Sequence, residues 1–217
     1  MHTFLFDLNG TMIDDMNYHI TAWHRILNDL GATLSLERMK SECYGKNNEL
    51  LERMFPGRFT EAEKDIMSLE KEKKYQEQFK PHLKLLPGLN EFLQKAYEHH
   101  IKMAIGSAAI MFNIDFVLDN LSLRHYFDAL ISADNVEKSK PDPETYLKCA
   151  AALGVQASDC IVFEDSPKGV ESAQRAGMKA VVITLLHEAH EFSQFNNVLF
   201  CVNDYTDPTA KYSLLIN

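Results

Sequence analysis

From residue 86 onward the chain alternates short, uniformly apolar runs with longer amphipathic stretches, and no other feature limits its fold as much. Leu89, Phe92, Leu93, Ala96 and Tyr97 follow Pro87-Gly88 at spacings that put them on one face of a helix. Met103-Ala104-Ile105 reads as a strand, Ile110, Ile114, Val117, Leu118 and Leu121 as the inward face of a second helix, and Ala129-Leu130-Ile131 as the next strand. Asp142 stands where an N-cap belongs, with Pro143 at the first helical position and Gly154 as the stop. Ile161-Val162-Phe163 is a further strand, Gly177 ends the helix after it, and Ala180-Val181-Val182-Ile183 follows. Strands that are apolar throughout and separated by helices belong in a parallel sheet covered on both faces. With Phe4-Leu5-Phe6 added, the expectation is a doubly wound α/β core whose ligands bind at the carboxyl ends of the strands.

Residues 15–85 break the rhythm. Met16, Ile20, Trp23, Leu27 and Leu30 make one amphipathic helix closed by Gly31, and Thr60 with Glu63 forms a capping box that opens a long charged helix reaching about Phe79. No strand pattern lies between them. The division expected is a core of residues 1–14 and 86–217 with a small all-helical cap, 15–85, inserted at the carboxyl end of the first strand. Such an insertion would hang over the site and open about joins near residues 14 and 85. A chain of 217 residues, 46% hydrophobic, has enough material for one large core and a small second unit.

A net charge of −9, from 22 basic and 31 acidic side chains, argues against a nucleic-acid surface, which needs a clustered basic face. It is compatible with a small phosphorylated partner, which a metal ion, a lysine and backbone amides can hold locally. No stretch is long and apolar enough to span a bilayer, and Phe4-Leu5-Phe6 lacks the basic start of a signal peptide. Cys43, Cys149, Cys160 and Cys201 have no metal-ligand spacing and read as reduced packing residues, so a cytoplasmic protein is expected. The oligomeric state is open, with a monomer favoured.

Four short segments carry the chemistry. The first strand runs into Asp7-Leu8-Asn9-Gly10-Thr11, which sets a carboxylate at a strand end where it can attack phosphorus while the following backbone, from Leu8 onward, cradles the phosphoryl oxygens. The same letters also spell an ordinary Asp-Asn-Gly turn. Ser107, with Ala108 after it, follows the second strand, where its hydroxyl either binds a phosphoryl oxygen or caps a helix. Lys140 precedes Pro141-Asp142-Pro143, where it either holds an ammonium near the sheet edge or is one more solvated lysine. Glu164-Asp165 directly follows a buried strand, a pair suited to a hard cation such as magnesium or else the acidic start of the next helix.

Taken together, Asp7-Leu8-Asn9-Gly10-Thr11, Ser107, Ser139-Lys140-Pro141 and Phe163-Glu164-Asp165-Ser166-x-x-Gly169 resemble the four motifs of the haloacid dehalogenase-like hydrolases. Within that superfamily the chain is most similar to the β-phosphoglucomutase group, which carries a helical cap at this insertion point and a similar helix containing His19 and Trp23. The resemblance implies a Rossmann-like core and Mg2+-dependent phosphoryl transfer through an aspartyl-phosphate on Asp7. It implies magnesium held by Asp7, Asp165, Glu164 and the backbone carbonyl of Asn9, and a phosphoryl group bound by Ser107 and Lys140. A carboxylate can attack a phosphate dianion only when their repulsion is cancelled, so loss of Mg2+ or of the Lys140 ammonium should abolish turnover.

Two departures qualify the resemblance. The family's phosphatases and mutases have a second aspartate where this chain has Asn9, and an amide cannot accept and return a proton near neutral pH. His19 is the nearest substitute acid or base, unless it is a solvated helix residue. The stretch Gly45-Lys46-Asn47-Asn48 lacks the arginine with which mutases of this group hold a distal phosphate, and Ala108-Ala109-Ile110-Met111 offers nothing to grip an anion. A phosphatase is therefore expected ahead of a sugar phosphate mutase, with Lys46 and Lys73 as further candidates for substrate contact. A metal- and phosphate-binding protein with little turnover is the alternative from another class.

Overall fold

The computed structural model describes residues 2–209. The chain divides into two compact units, one joining the N-terminal stretch through Asp14 to everything from Lys84 onward, the other spanning Asp15–Leu83. The second unit contains the helices α1 (Met16–Asp29), α2 (Leu36–Glu42), α3 (Asn47–Met54) and α4 (Glu61–Phe79). Within it α1 packs against α2 and α4, and α3 against α4, around Trp23, Leu27, Met39, Leu51, Tyr75 and Phe79. Thr60 caps α4 as its sequence predicts, exchanging hydrogen bonds with Glu63. The helices α2 and α3 leave no periodicity in the sequence because each is short, α2 burying Met39 alone.

The first unit is built on six parallel strands: β1 (Thr3–Phe6), β2 (Met103–Gly106), β3 (Ala129–Ile131), β4 (Cys160–Glu164), β5 (Lys179–Ile183) and β6 (Val198–Val202), in the order β3-β2-β1-β4-β5-β6. Five of these strands fall on the apolar runs of the sequence. The sixth, Val198–Val202, is an edge strand with an exposed Leu199, and lacks the burial of the central strands β1, β2 and β4. Four helices connect them, α5 (Leu89–Glu98), α6 (Met111–Asn120), α7 (Glu144–Leu153) and α8 (Pro167–Arg175).

Alternation along the strands sends residues to opposite faces. Leu5, Ala104, Val162, Ala180 and Val182 meet Tyr146, Cys149 and Leu153 of α7 and Val170 and Ala173 of α8 in one buried layer. Phe4, Phe6 and Phe163 point the other way and form an aromatic stack with Phe92 of α5, with Phe6 and Phe163 rings 4.6 Å apart and nearly parallel. Tyr205 joins this stack and donates its hydroxyl to the Thr11 carbonyl at 3.1 Å. Gly88 makes that approach possible, because a Cβ there would lie 2.6 Å from the Tyr205 backbone. Among the described residues no helix is long and apolar enough to cross a membrane.

Candidate active site

The strand order reverses between β1 and β4, the position at which a doubly wound sheet opens a crevice for ligands. The β1–β4 ladder runs one residue past β1, with the Asp7 amide donating to the Phe163 carbonyl at 3.0 Å, so Asp7 and the Glu164-Asp165 pair leave the sheet side by side. Behind Asp7 the chain turns at once. Gly10, at φ 73°, donates to the Ile13 carbonyl at 2.9 Å, Leu8 is buried, and Asn9 is half-buried and bridges to Ile13.

Lys140 reaches the same crevice from the loop before α7. Its Nζ donates to Asp7 Oδ1 and to Glu164 Oε1, each at 2.6 Å, and the residue is buried. It is thus no solvated surface lysine. Ser107 lies just past β2, its amide bonded to the Ile131 carbonyl at 3.0 Å and its hydroxyl to the Asp7 carboxylate. Its Oγ also accepts from the Ala109 amide at 3.2 Å, which folds the turn around Ala108. The capping role open to Ser107 is not taken up, since α6 begins at Met111, with Asp134 accepting from the Met111 amide.

Glu164 is the most heavily bonded side chain described at the site. Its Oε1 accepts from Lys140 at 2.6 Å and the Tyr146 hydroxyl at 2.8 Å, and its Oε2 accepts at 3.0 Å from each of three donors: the Asp165 amide, the Ser166 amide and the Ser166 hydroxyl. Five protein donors thus surround the carboxylate, which ties Lys140 to the first turn after the strand. The carboxylate lies against the first turn of α8, where a Cβ on Gly169 would fall 1.8 Å from Oε1, and this explains the glycine. Asp165 does not begin that helix. Ser166 is its cap, accepting from the Gly169 amide at 3.1 Å, while Asp165 is buried and takes the Thr11 hydroxyl at 3.4 Å.

Burial dominates the electrostatics. It raises the Asp7 carboxyl from 3.8 to about 7, with the Lys140 ammonium pulling against it and the charge of Glu164 adding to it. Asp165 is pushed well above the ordinary aspartate range, first by burial and then by the negative charges of Glu164 and Asp7. Burial alone would raise Glu164 too, but Lys140 and the other donors outweigh it and hold the carboxyl low. Three carboxylates thus face one ammonium, which leaves two uncompensated negative charges when all are ionised. A divalent cation matches that deficit in charge. Among the described residues no group of three or more His, Cys, Asp or Glu side chains gathers to hold a metal. Magnesium does not require one, since it binds through one or two carboxylates and keeps several waters, and Asp7 and Asp165 fit it.

The remaining sequence candidates lie in the helical unit. Lys73 is exposed on α4, and the backbone of Lys46 begins α3 with its amide on Glu49 Oε2 at 3.0 Å. His19 is buried, not solvated as a surface helix position would be. Its Nδ1 lies 2.5 Å from Lys71 Nζ, its Nε2 3.2 Å from Asp15 Oδ2, and its ring stacks on Tyr75 at 4.0 Å. An ammonium only donates, so Nδ1 accepts and the proton sits on Nε2. Both ring nitrogens are thus engaged within the helical unit. Asn47 donates to Ser68 and Glu72, and Asn48 to Asp65, each at 2.7 Å.

Asp7, Ser107, Lys140, Glu164 and Asp165 are therefore brought together, whereas His19, Lys46 and Lys73 belong to the other unit. Sequence reasoning missed Tyr146. The signal was present, because a tyrosine in the buried stripe with Cys149, Ala150 and Leu153 must find an acceptor for its hydroxyl.

Residues 4–183 match the family model described as haloacid dehalogenase-like hydrolase. The chain is 30% identical over 182 residues to fructose-1-phosphate phosphatase YqaB of Escherichia coli, covering 84% of this chain and 96% of that protein. It is 32% identical over 190 residues to the beta-phosphoglucomutase of Bacillus subtilis, covering 83% of this chain and 82% of the other. Among solved structures, the HAD hydrolase, family IA, variant 3, of Entamoeba histolytica superposes with a TM-score of 0.85 at 27% identity, with 100% of both chains covered.

Proposed function

Because this chain belongs to the haloacid dehalogenase-like hydrolases, we propose that it hydrolyses the phosphate ester of a small sugar or sugar alcohol through an aspartyl-phosphate on Asp7. The observation that carries the reading is the meeting of Asp7, Lys140 and Asp165 at the point where the sheet order reverses. Asp7 attacks phosphorus, the bond from phosphorus to the sugar oxygen breaks, and water then releases inorganic phosphate from the aspartyl ester. Lys140 neutralises the incoming dianion, and Glu164 keeps the ammonium aimed at Asp7. Ser107 and the amides around Leu8 and Ala108 orient the phosphoryl oxygens. Magnesium would be held by Asp7, Asp165, Glu164 and the backbone carbonyl of Asn9, and when bound it polarises the phosphoryl group as a Lewis acid. The four free thiols support a cytoplasmic setting.

Asn9 cannot protonate the departing sugar oxygen, so the chain as written lacks general acid help worth about 10² to 10⁴ in rate. The test is phosphate release from a panel of hexose and hexitol phosphates with Mg2+, for the parent chain and for Asn9→Asp. Turnover rising by about that factor in the aspartate form supports the reading, whereas no release from any ester by either form overturns it. The similarity to a beta-phosphoglucomutase motivates a second reading, interconversion of hexose 1- and 6-phosphates. Asn47 and Asn48, where a distal phosphate would be gripped, are engaged by Ser68, Glu72 and Asp65, which favours hydrolysis. Isomer interconversion with a bisphosphate primer present would reverse that preference.

A further inference from the structure

We infer that Tyr146 is the positioning residue for Lys140, setting through its hydroxyl and its ring where the ammonium stands and hence how tightly a phosphoryl oxygen binds beside Asp7. The inference rests on the phosphoryl-transfer reading above and deepens it. Tyr146 occupies a place in α7 that packing alone would give to any large apolar side chain, fully buried against the sheet. Yet it carries a hydroxyl, and that hydroxyl donates to Glu164 Oε1 at 2.8 Å, the oxygen that also accepts from Lys140 at 2.6 Å. The Lys140 nitrogen lies 4.6 Å from the centroid of the same ring. One side chain therefore meets the ammonium twice, once by a cation–π contact and once through the carboxylate that shares its proton.

An ammonium has three N–H directions, and Asp7 and Glu164 take two of them. With the ring closing off one side, the direction left to the third is restricted. Space for the ring is provided by Gly106 at the end of β2, where a Cβ would come within 3.3 Å of Tyr146 Cδ1 and 2.8 Å of Cys149 Sγ. Without the hydroxyl, Glu164 Oε1 loses one of its two donors and the carboxylate can turn, taking Lys140 with it. The ring would remain.

The test uses Tyr146→Phe, which keeps ring and volume, and inorganic phosphate in the presence of Mg2+ as the probe, with affinity measured by titration calorimetry. The expected result is a Kd about tenfold weaker than the parent's, the scale of one hydrogen bond to a charged group. In the Asn9→Asp form the same substitution should lower kcat/KM about tenfold, with KM rising as the phosphate Kd does. Leu153→Ala, farther along the same buried stripe, controls for mere loosening of α7 and should lower the melting temperature without moving the phosphate Kd. Equal weakening by Leu153→Ala, or parental affinity in Tyr146→Phe, overturns the inference. Lys140→Ala separates the two levels. If it binds phosphate as the parent does, or if the parent binds none, the phosphoryl-transfer reading fails and this inference with it. If it abolishes binding while Tyr146→Phe leaves binding intact, only the role of Tyr146 fails.

Discussion

Gly169→Ala inverts the usual arithmetic of a helix. Replacing a helical glycine by alanine ordinarily stabilises by about 1 kcal/mol. Here the new methyl would stand 1.8 Å from Glu164 Oε1 and 1.9 Å from its carboxyl carbon, against an ordinary contact of 3.4 Å or more. The carboxylate must retreat by roughly 1.5 Å, far enough to break hydrogen bonds that need about 3 Å. Five donors lose their acceptor, and Lys140 loses one of its two anions. Disrupting a buried charge pair costs about 3–5 kcal/mol, and because the network moves as one body that figure stands for the whole and not for each bond. For a chain of this size each kcal/mol lowers Tm by about 2–4 °C, so the expected drop is about 6–20 °C. Calorimetric melting of parent and variant reads it directly. Adding Glu164→Asp, whose carboxylate is one methylene shorter, should make the double variant more stable than the sum of the two single changes. A Gly169→Ala protein that melts at or above the parent would refute the reasoning.

Other outcomes follow from the same site. Metal-free protein should lose stability as pH rises from about 4 to about 7. The folded Asp7 carboxyl, raised from 3.8 to about 7, holds its proton across the range in which the unfolded chain releases it, and melting in EDTA against saturating Mg2+ should show the decline only in EDTA. Asp165→Asn should raise the metal-free melting temperature by relieving a buried like-charge cluster, and should abolish the shift produced by Mg2+. In the helical unit, Lys71→Met leaves Glu72 without its 2.8 Å ion pair and should cost about 3–5 kcal/mol, read by urea denaturation. Tyr205→Phe removes the bond to the Thr11 carbonyl and should cost about 1 kcal/mol in the same assay.

The α/β core was legible because its central strands are buried on both faces and so have no polar register to obscure them. Val198–Val202 was not, since an edge strand with one exposed flank looks like a loop. Asp7 and Ser107 stand out in the sequence because each follows an apolar run that fixes where the side chain emerges, and Lys140 because it directly precedes Pro141-Asp142-Pro143. The partners of Glu164 could not be found that way. A sequence shows an acid beside another acid, and only the fold reveals which oxygens have been taken. The burial of His19 was legible for a simpler reason. It stands four residues before Trp23, on the stripe that α1 buries.

Tyr205 leaves a last consequence at the far end of the chain. Its amide is bonded to the Pro87 carbonyl and its hydroxyl to the Thr11 carbonyl, four residues beyond Asp7. Tyr205 is in effect a rivet through the loop that follows Asp7. Cutting the chain ahead of residue 205 would slacken that loop at the mouth of the sheet.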